Sequence, residues 1–311
     1  MIYNYNRVFL FLFVLLIFKT SKGTSQLVSF SDHYVLYPVM LNPAFAGDRD
    51  ALSIASYYSQ KWLGMKGAPE NLNLIADFSG LKGKLGFGFQ YQNESYGVSS
   101  LNKLTSLYAY RIKMYKSELG FGLGAGFLLT QTAWSKLSAE EIGDEMFLID
   151  SKNYFLPEFS FGIKFRHKNF YTGFSVPDLL SYAFNSEKNN YDFKADLSEF
   201  TYQLFGGNSF KLSPQFNILP SALIGYSKGN QLKYDVSLIG SFYEKIWIGV
   251  LYHSTQSVTG LVQFGISDQL LFAYSYQVNF GKISIASKGS QEFMLRYEFR
   301  FKVNAASPLK F

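Results

Sequence analysis

Residues 119–129 read Leu-Gly-Phe-Gly-Leu-Gly-Ala-Gly-Phe-Leu-Leu. Leu119, Phe121, Leu123, Ala125, Phe127 and Leu129 alternate with Gly120, Gly122, Gly124 and Gly126. Successive residues of a strand point to opposite faces, so this stretch has one greasy face and one bare face. It is not a phosphate-cradling loop, because its glycines do not lead into a helix. Two uses of the bare face stay open. One is strand curvature. The other is room for a plug, an inward loop or a passing polypeptide close to the wall.

The same period of two recurs on either side. Leu85, Phe87, Phe89 and Tyr91 alternate with Gly86, Gly88, Gln90 and Gln92. Phe159, Phe161, Ile163 and Phe165 alternate with Ser160, Gly162, Lys164 and Arg166. Near the end, Phe293, Leu295, Tyr297, Phe299 and Phe301 alternate with Met294, Arg296, Glu298 and Arg300. In a water-soluble sandwich the greasy faces would form the core. Here they are so aromatic, and the opposite faces so rich in glycine, that the pattern predicts lipid outside and a lumen inside. Lys164, Arg166, Arg296, Glu298 and Arg300 then belong to the lumen or its periplasmic mouth, as an ion network or as contacts for an anionic solute or peptide.

Composition agrees. Of 311 residues, 19% are aromatic, with 32 Phe and 23 Tyr, and there are 26 Gly. Charged residues make up 17%, against roughly 25% in an average soluble domain. There is no Cys. That removes thiol catalysis, Cys-ligated metals and a lipoprotein anchor, and it suits an oxidising periplasm. Net charge is +6. Arg7, Lys19 and Lys22 supply three of those charges within a leader, so too little remains to argue for nucleic acid.

That leader has three parts. Residues 1–7 are short and basic, 8–18 are an unbroken apolar run, and 19–26 are small and polar. This is the layout of a secretory signal, with cleavage expected near Gly23. The apolar run is too short for a membrane-spanning helix, which needs about 20 residues. The alternative is an uncleaved anchor. No other stretch could span as a helix, so membrane residence requires a barrel. The expected organisation is a signal peptide over 1–23, a leader or plug over 24–49 and a barrel over 50–311.

About fourteen strands are expected in this all-β transmembrane barrel. They fall near 50–60, 71–79, 83–93, 102–113, 117–130, 157–167, 169–176, 199–211, 215–227, 230–241, 244–254, 257–266, 268–279 and 288–302. Bacterial barrels have even strand numbers, with short periplasmic turns and longer outer loops. Connections after odd strands should therefore be long. Five are (61–70, 94–101, 131–156, 177–198 and 280–287), while 228–229 and 255–256 are short. Every alternate connection is tight.

Catalytic chemistry is poorly supplied. His33, His167 and His253 share no metal-ligand spacing. Ser254 follows His253, but neighbours in a strand face opposite ways and cannot pair. Glu140, Glu141, Asp144 and Glu145 cluster in a long connection without a calcium-loop spacing and read as solvated. No enzyme activity, cofactor or metal is expected.

Two blocks precede or interrupt the first hairpin. Residues 31–47 read SDHYVLYPVMLNPAFAG and residues 60–69 read QKWLGMKGAP. In this order after a signal peptide, they resemble the PorP/SprF family of Bacteroidota. Tyr34, Pro38, Leu41, Asn42, Pro43, Ala44, Ala46 and Gly47 match its opening motif, with Phe45 for the usual Tyr. Trp62, Gly64, Gly67, Ala68 and Pro69 match its W-x-G-x-x-G-A-P. Before the last strand the family has G-S-H-E, whereas this chain has Gly289, Ser290, Gln291 and Glu292, so the His is lost. The resemblance implies a non-enzymatic outer-membrane protein of type IX secretion and gliding motility. Its implied partners are membrane lipid, periplasmic components of the system, and secreted cargo, an adhesin or enzyme with a C-terminal signal domain. Such a barrel supports export or holds cargo at the cell surface. The rival reading is a solute channel. From the residues themselves, Asn42-Pro43 favours a turn. The segment 31–47 is expected at the periplasmic mouth or within the lumen, or else as a loose leader. Trp62 and Pro69 fall in the first outer loop, where Trp62 suits an interfacial aromatic belt.

Overall fold

The computed structural model describes residues 31–49, 51–136, 151–185 and 187–299. The expected signal peptide and its cleavage site, the 140–145 acidic cluster, Arg300 and Phe301 lie outside them.

Among the described residues, seventeen strands form in chain order. The first seven are β1 Leu52–Gln60, β2 Glu70–Gly80, β3 Leu85–Tyr96, β4 Ser99–Lys113, β5 Ser117–Thr132, β6 Tyr154–His167 and β7 Phe170–Val176. β8 Ser181–Asn185 and β9 Asn190–Lys194 make a separate hairpin. Then come β10 Tyr202–Asn208, β11 Phe210–Lys211, β12 Phe216–Tyr226, β13 Lys233–Phe242 and β14 Ile246–His253. β15 Ser257–Gly265, β16 Leu270–Asn279 and β17 Ser290–Phe299 complete the set. Because β10 and β11 are one stave broken at Ser209, the barrel has fourteen staves, as the alternation predicts. All neighbours are antiparallel, and β1 pairs with β17 from Leu52↔Phe299 to Gln60↔Gln291. That pairing leaves no free edge for another chain to add to.

The burial pattern is the inverse of a soluble protein's. Leu123, Phe89, Phe159 and Leu295 are exposed around the outside. Ser241, Thr259, Gln263 and Arg296 are buried inside. This is the division expected of a sheet whose outer face meets lipid.

The connections differ from expectation in three places, the first being that the short 228–229 turn opens to six residues, 227–232, between β12 and β13. β3 and β4 run on until only residues 97–98 separate them, where a loop over 94–101 is expected. The reason is polar pairing at the hairpin tip. Tyr91 Oη and Asn93 Nδ2 both donate to Asn102 Oδ1, at 2.9 and 2.8 Å. Polar strand ends lack the greasy alternation but keep the ladder. The expected loop over 177–198 instead contains the β8–β9 hairpin, packed edge-to-face on the barrel through Tyr154, Phe184 and Tyr191. The remaining long connections still share one end, and 81–84, 114–116, 168–169, 212–215, 243–245 and 266–269 share the other.

Residues 31–48 occupy the lumen. Three short 3-10 turns, Asp32–Val35, Pro38–Met40 and Pro43–Phe45, follow one another. Ser31 caps the first through the His33 amide, and Asn42 caps the third through the Ala44 amide. Pro38 and Pro43 stand at first-turn positions, where their fixed φ fits and their missing N–H costs nothing. Prolines this close together also prevent one longer helix. Tyr34, Val35, Leu36, Phe45 and Ala46 are buried against Tyr171, Phe205, Leu219, Leu223 and Trp247 of the wall.

Candidate functional site

The plug is fixed to the wall at three levels. At the short-turn end, Asp48 takes ion pairs from Lys164, Arg166 and Arg111. Lys164 also reaches Glu118 at 2.8 Å. Burial alone would raise the Asp48 carboxyl, but the Lys164, Arg166 and Arg111 cations outweigh it and hold it well below the carboxylate range. Arg111 also donates to Ala46 O. Gly47 has φ +62, and a Cβ there would lie 2.2 Å from Phe78 O, so only glycine fits this turn. Arg49 pairs with Glu298 at 2.5 Å, and Glu298 faces Arg296 at 3.3 Å.

In the middle, Asn42 Nδ2 donates to Ile163 O and Phe174 O, both at 3.0 Å. The Tyr37 hydroxyl donates to Asp77 Oδ1 at 2.5 Å, and Asp77 Oδ2 accepts from Gly47 N at 2.8 Å. Arg296 donates to Leu36 O and lies over the Tyr37 ring. The bare face of β5 now divides into two uses. A Cβ on Gly122 would sit 2.0 Å from Ala44 N, and Gly120 faces Lys164 and Ala44 O. Gly124 and Gly126 instead admit Ser160 Oγ and Leu104 O of the neighbouring staves. Gly162, across the hairpin, makes room for Asn42 Oδ1.

At the long-connection end, Glu292 gathers three separated motif blocks. It accepts from Asp32 N at 2.9 Å and from Lys61 Nζ at 2.6 Å. Beside it, Ser290 Oγ accepts from Trp62 N at 3.2 Å, and Leu63 N donates to Gly289 O at 2.7 Å. Lys61 N donates to Pro69 O at 2.9 Å and closes the 61–69 loop, in which Gly64 (φ +91) and Gly67 (φ +72) hold left-handed backbone. Trp62 is thus tied to the start of the last stave. Gln291 lies on the opposite face from Glu292 and bonds Gln60, so the departure from the family's His falls outside the lumen.

Sequence reading missed one cluster. Asp235 Oδ1 lies 2.9 Å from His253 Nδ1, and His253 Nε2 lies 2.9 Å from Thr259 Oγ1. The order is that of a hydrolase triad, but Thr259 is wholly buried and donates to Asp32 Oδ2 at 3.0 Å. The cluster therefore serves the plug's Asp32. Its signal was cross-strand register: Asp235 stands opposite His253, and Thr259 is two residues beyond His253's other partner, Ser257. Looking only at chain neighbours, such as Ser254, could not show it.

Above the plug, on the long-connection side, lies a cavity of about 350 Å³ between the 39–43 backbone and the upper walls of β1 to β6.

A closed antiparallel barrel, greasy outside and plugged within, defines an outer-membrane protein. The family model of the type IX secretion system membrane protein PorP/SprF matches residues 23–297, and the chain belongs to that family. No curated protein matches its sequence. Among solved structures, it is similar to the CymD monoaromatic hydrocarbon channel, with TM-score 0.55 and 11% identity over 88% of this chain and 94% of that one. It is also similar to the Pseudomonas putida toluene transporter TodX, with TM-score 0.51 and 10% identity over 90% of this chain and 96% of that one. At such identity these likenesses show the barrel fold. The end with long connections is then the outer one and the end with tight turns the periplasmic one.

Proposed function

We propose that this protein is a plugged, non-enzymatic receptor of the type IX system that holds a secreted protein at the cell surface through its outer loops and upper lumen. The observation that carries this reading is the anchored plug. A lumen filled by residues 32–48 and pinned at both ends suits a docking body better than a pore. The leader over 1–23 delivers it to the envelope as a cleaved signal. The cargo is an exported adhesin or enzyme bearing a C-terminal signal domain.

The periplasmic face supports a second contact, with the export apparatus. Lys82, Lys84, Lys113, Lys116, Lys168, Lys211 and Lys245 are exposed there, with Glu244 and Asp268 the exposed acids of the same turns. Such a rim favours an acidic periplasmic component.

Replacing residues 133–153 by a short turn tests the receptor reading. Cargo should then be released into the medium while the barrel remains in the membrane. Unchanged surface retention would contradict it. The solute-channel reading draws on the hydrocarbon channels of similar fold, and it predicts conductance that the plug opposes.

A further inference from the structure

The cavity above the plug has a chemistry of its own, and its volume falls within the range of ligand sites. Its floor is apolar, formed by Val39, Leu41 and Pro43 of the plug with Leu107 and Leu128 of the wall. Its wall carries a row of carboxamides, Asn71 and Asn73 on β2, Gln90 and Gln92 on β3, and Gln203 on β10. Both cations on the lining are already engaged. Lys61 is held by Glu292 at 2.6 Å, and Lys103 sits between Glu158 at 2.7 Å and Asp178 at 3.2 Å. Glu94, on the lumen face of β3, forms no ion pair among the described residues, so the surplus charge is negative. Glu70 also borders the cavity, but its carboxylate turns to the outer face and accepts from Gln60 Nε2 at 3.2 Å. Two acceptors on β2 stand open, the Oδ1 atoms of Asn71 and Asn73. Asn73 is only 5% exposed, yet its Oδ1 has no hydrogen-bond partner. A buried acceptor without a donor is costly, and here it faces a space from which a donor can come.

We propose that this vestibule binds an extended polypeptide end, with an apolar side chain seated on the plug and a lysine or arginine beside Glu94. Carboxamides offer a donor and an acceptor on one group, which is what a peptide main chain requires. A phosphate or acidic glycan would meet the unpaired Glu94 carboxylate. A neutral sugar would lack a stacking platform, since Tyr57 is the one aromatic side chain of the lining and it is buried. The source of the peptide rests on the receptor reading above, while the site itself does not.

The chain has no cysteine, so Leu101→Cys at the rim of the cavity places a single thiol for an environment-sensitive dye. Purified full-length protein in detergent is titrated with acetyl-Leu-Ser-Leu-Lys-amide, with the same peptide carrying Glu in place of Lys, and with maltotetraose. The lysine peptide should give a saturable response, about tenfold tighter than the glutamate peptide. Glu94→Gln should remove most of that difference, and Asn73→Leu should weaken both peptides. No saturable response to either peptide, equal affinity for the two, or a response to maltotetraose alone overturns the proposal. Peptide binding with no loss of cargo on replacing 133–153 would sink the receptor reading and leave the site standing. Loss of cargo without peptide binding would do the reverse.

Discussion

Gly122 and Gly260 are both strand glycines, yet they should respond oppositely to a methyl group. A Cβ on Gly122 would lie 2.0 Å from the Ala44 amide nitrogen, whereas one on Gly260 would meet nothing within 4 Å. Gly122→Ala should therefore cost about 1–3 kcal/mol or more by overpacking, while Gly260→Ala should be close to neutral. Heat-modified migration of the detergent-solubilised barrel checks both, and equal midpoints would contradict the packing described. Asn42→Ala removes two hydrogen bonds to strand carbonyls and the cap on Ala44, a loss of roughly 2–3 kcal/mol. Asp48→Asn leaves the fully buried Lys164 with Glu118 alone; breaking such a pair costs roughly 3 kcal/mol. The sign of the pH effect follows from the lowered Asp48 value. Its contribution is fully present above the unfolded carboxylate value of about 3.9 and is lost as pH falls from there towards the folded value. Asp48→Asn should flatten that acid limb of stability against pH, and an unchanged limb would assign it to other carboxylates.

At the scale of elements, legibility followed locality. Staves such as β5 and β17 could be read because alternation is written in consecutive residues, and their greasy faces do point outward. The tip of the β3–β4 hairpin could not, because Asn93 and Asn102 look like loop residues until their side chains meet. The plug was half legible. Asn42-Pro43 announced a turn, but nothing local says that Asn42 reaches Ile163 and Phe174 across more than a hundred residues. The Asp235–His253–Thr259 cluster was hidden for the same reason, since it exists only once three staves are in register. His253→Leu removes the group that bridges Asp235, Thr259 and Asp32. It should loosen the outer end of the plug and raise proteolysis near residue 31 in intact cells, while the stave pairing and the amount of barrel in the membrane stay the same.

At the scale of the whole molecule, the barrel is a closed frame whose lumen is filled by the segment 31–48. Motif blocks that lie far apart in sequence meet at Glu292, where the first outer loop, the last stave and the plug are joined by Lys61, Ser290 and Asp32. That convergence gives a physical reason for a family pattern spread along the chain: each block is one side of the same joint. The outer connections and the vestibule stand above the plug, and the lysine-rich turns face the periplasm. The most direct measurement is conductance in planar bilayers of the wild-type barrel beside the Asn42→Ala, Asp48→Ala double variant. The anchored plug predicts a silent wild type and a variant that opens, as contacts at two of its three levels of attachment are removed. A wild type that conducts steadily at the level of an open porin would contradict the account.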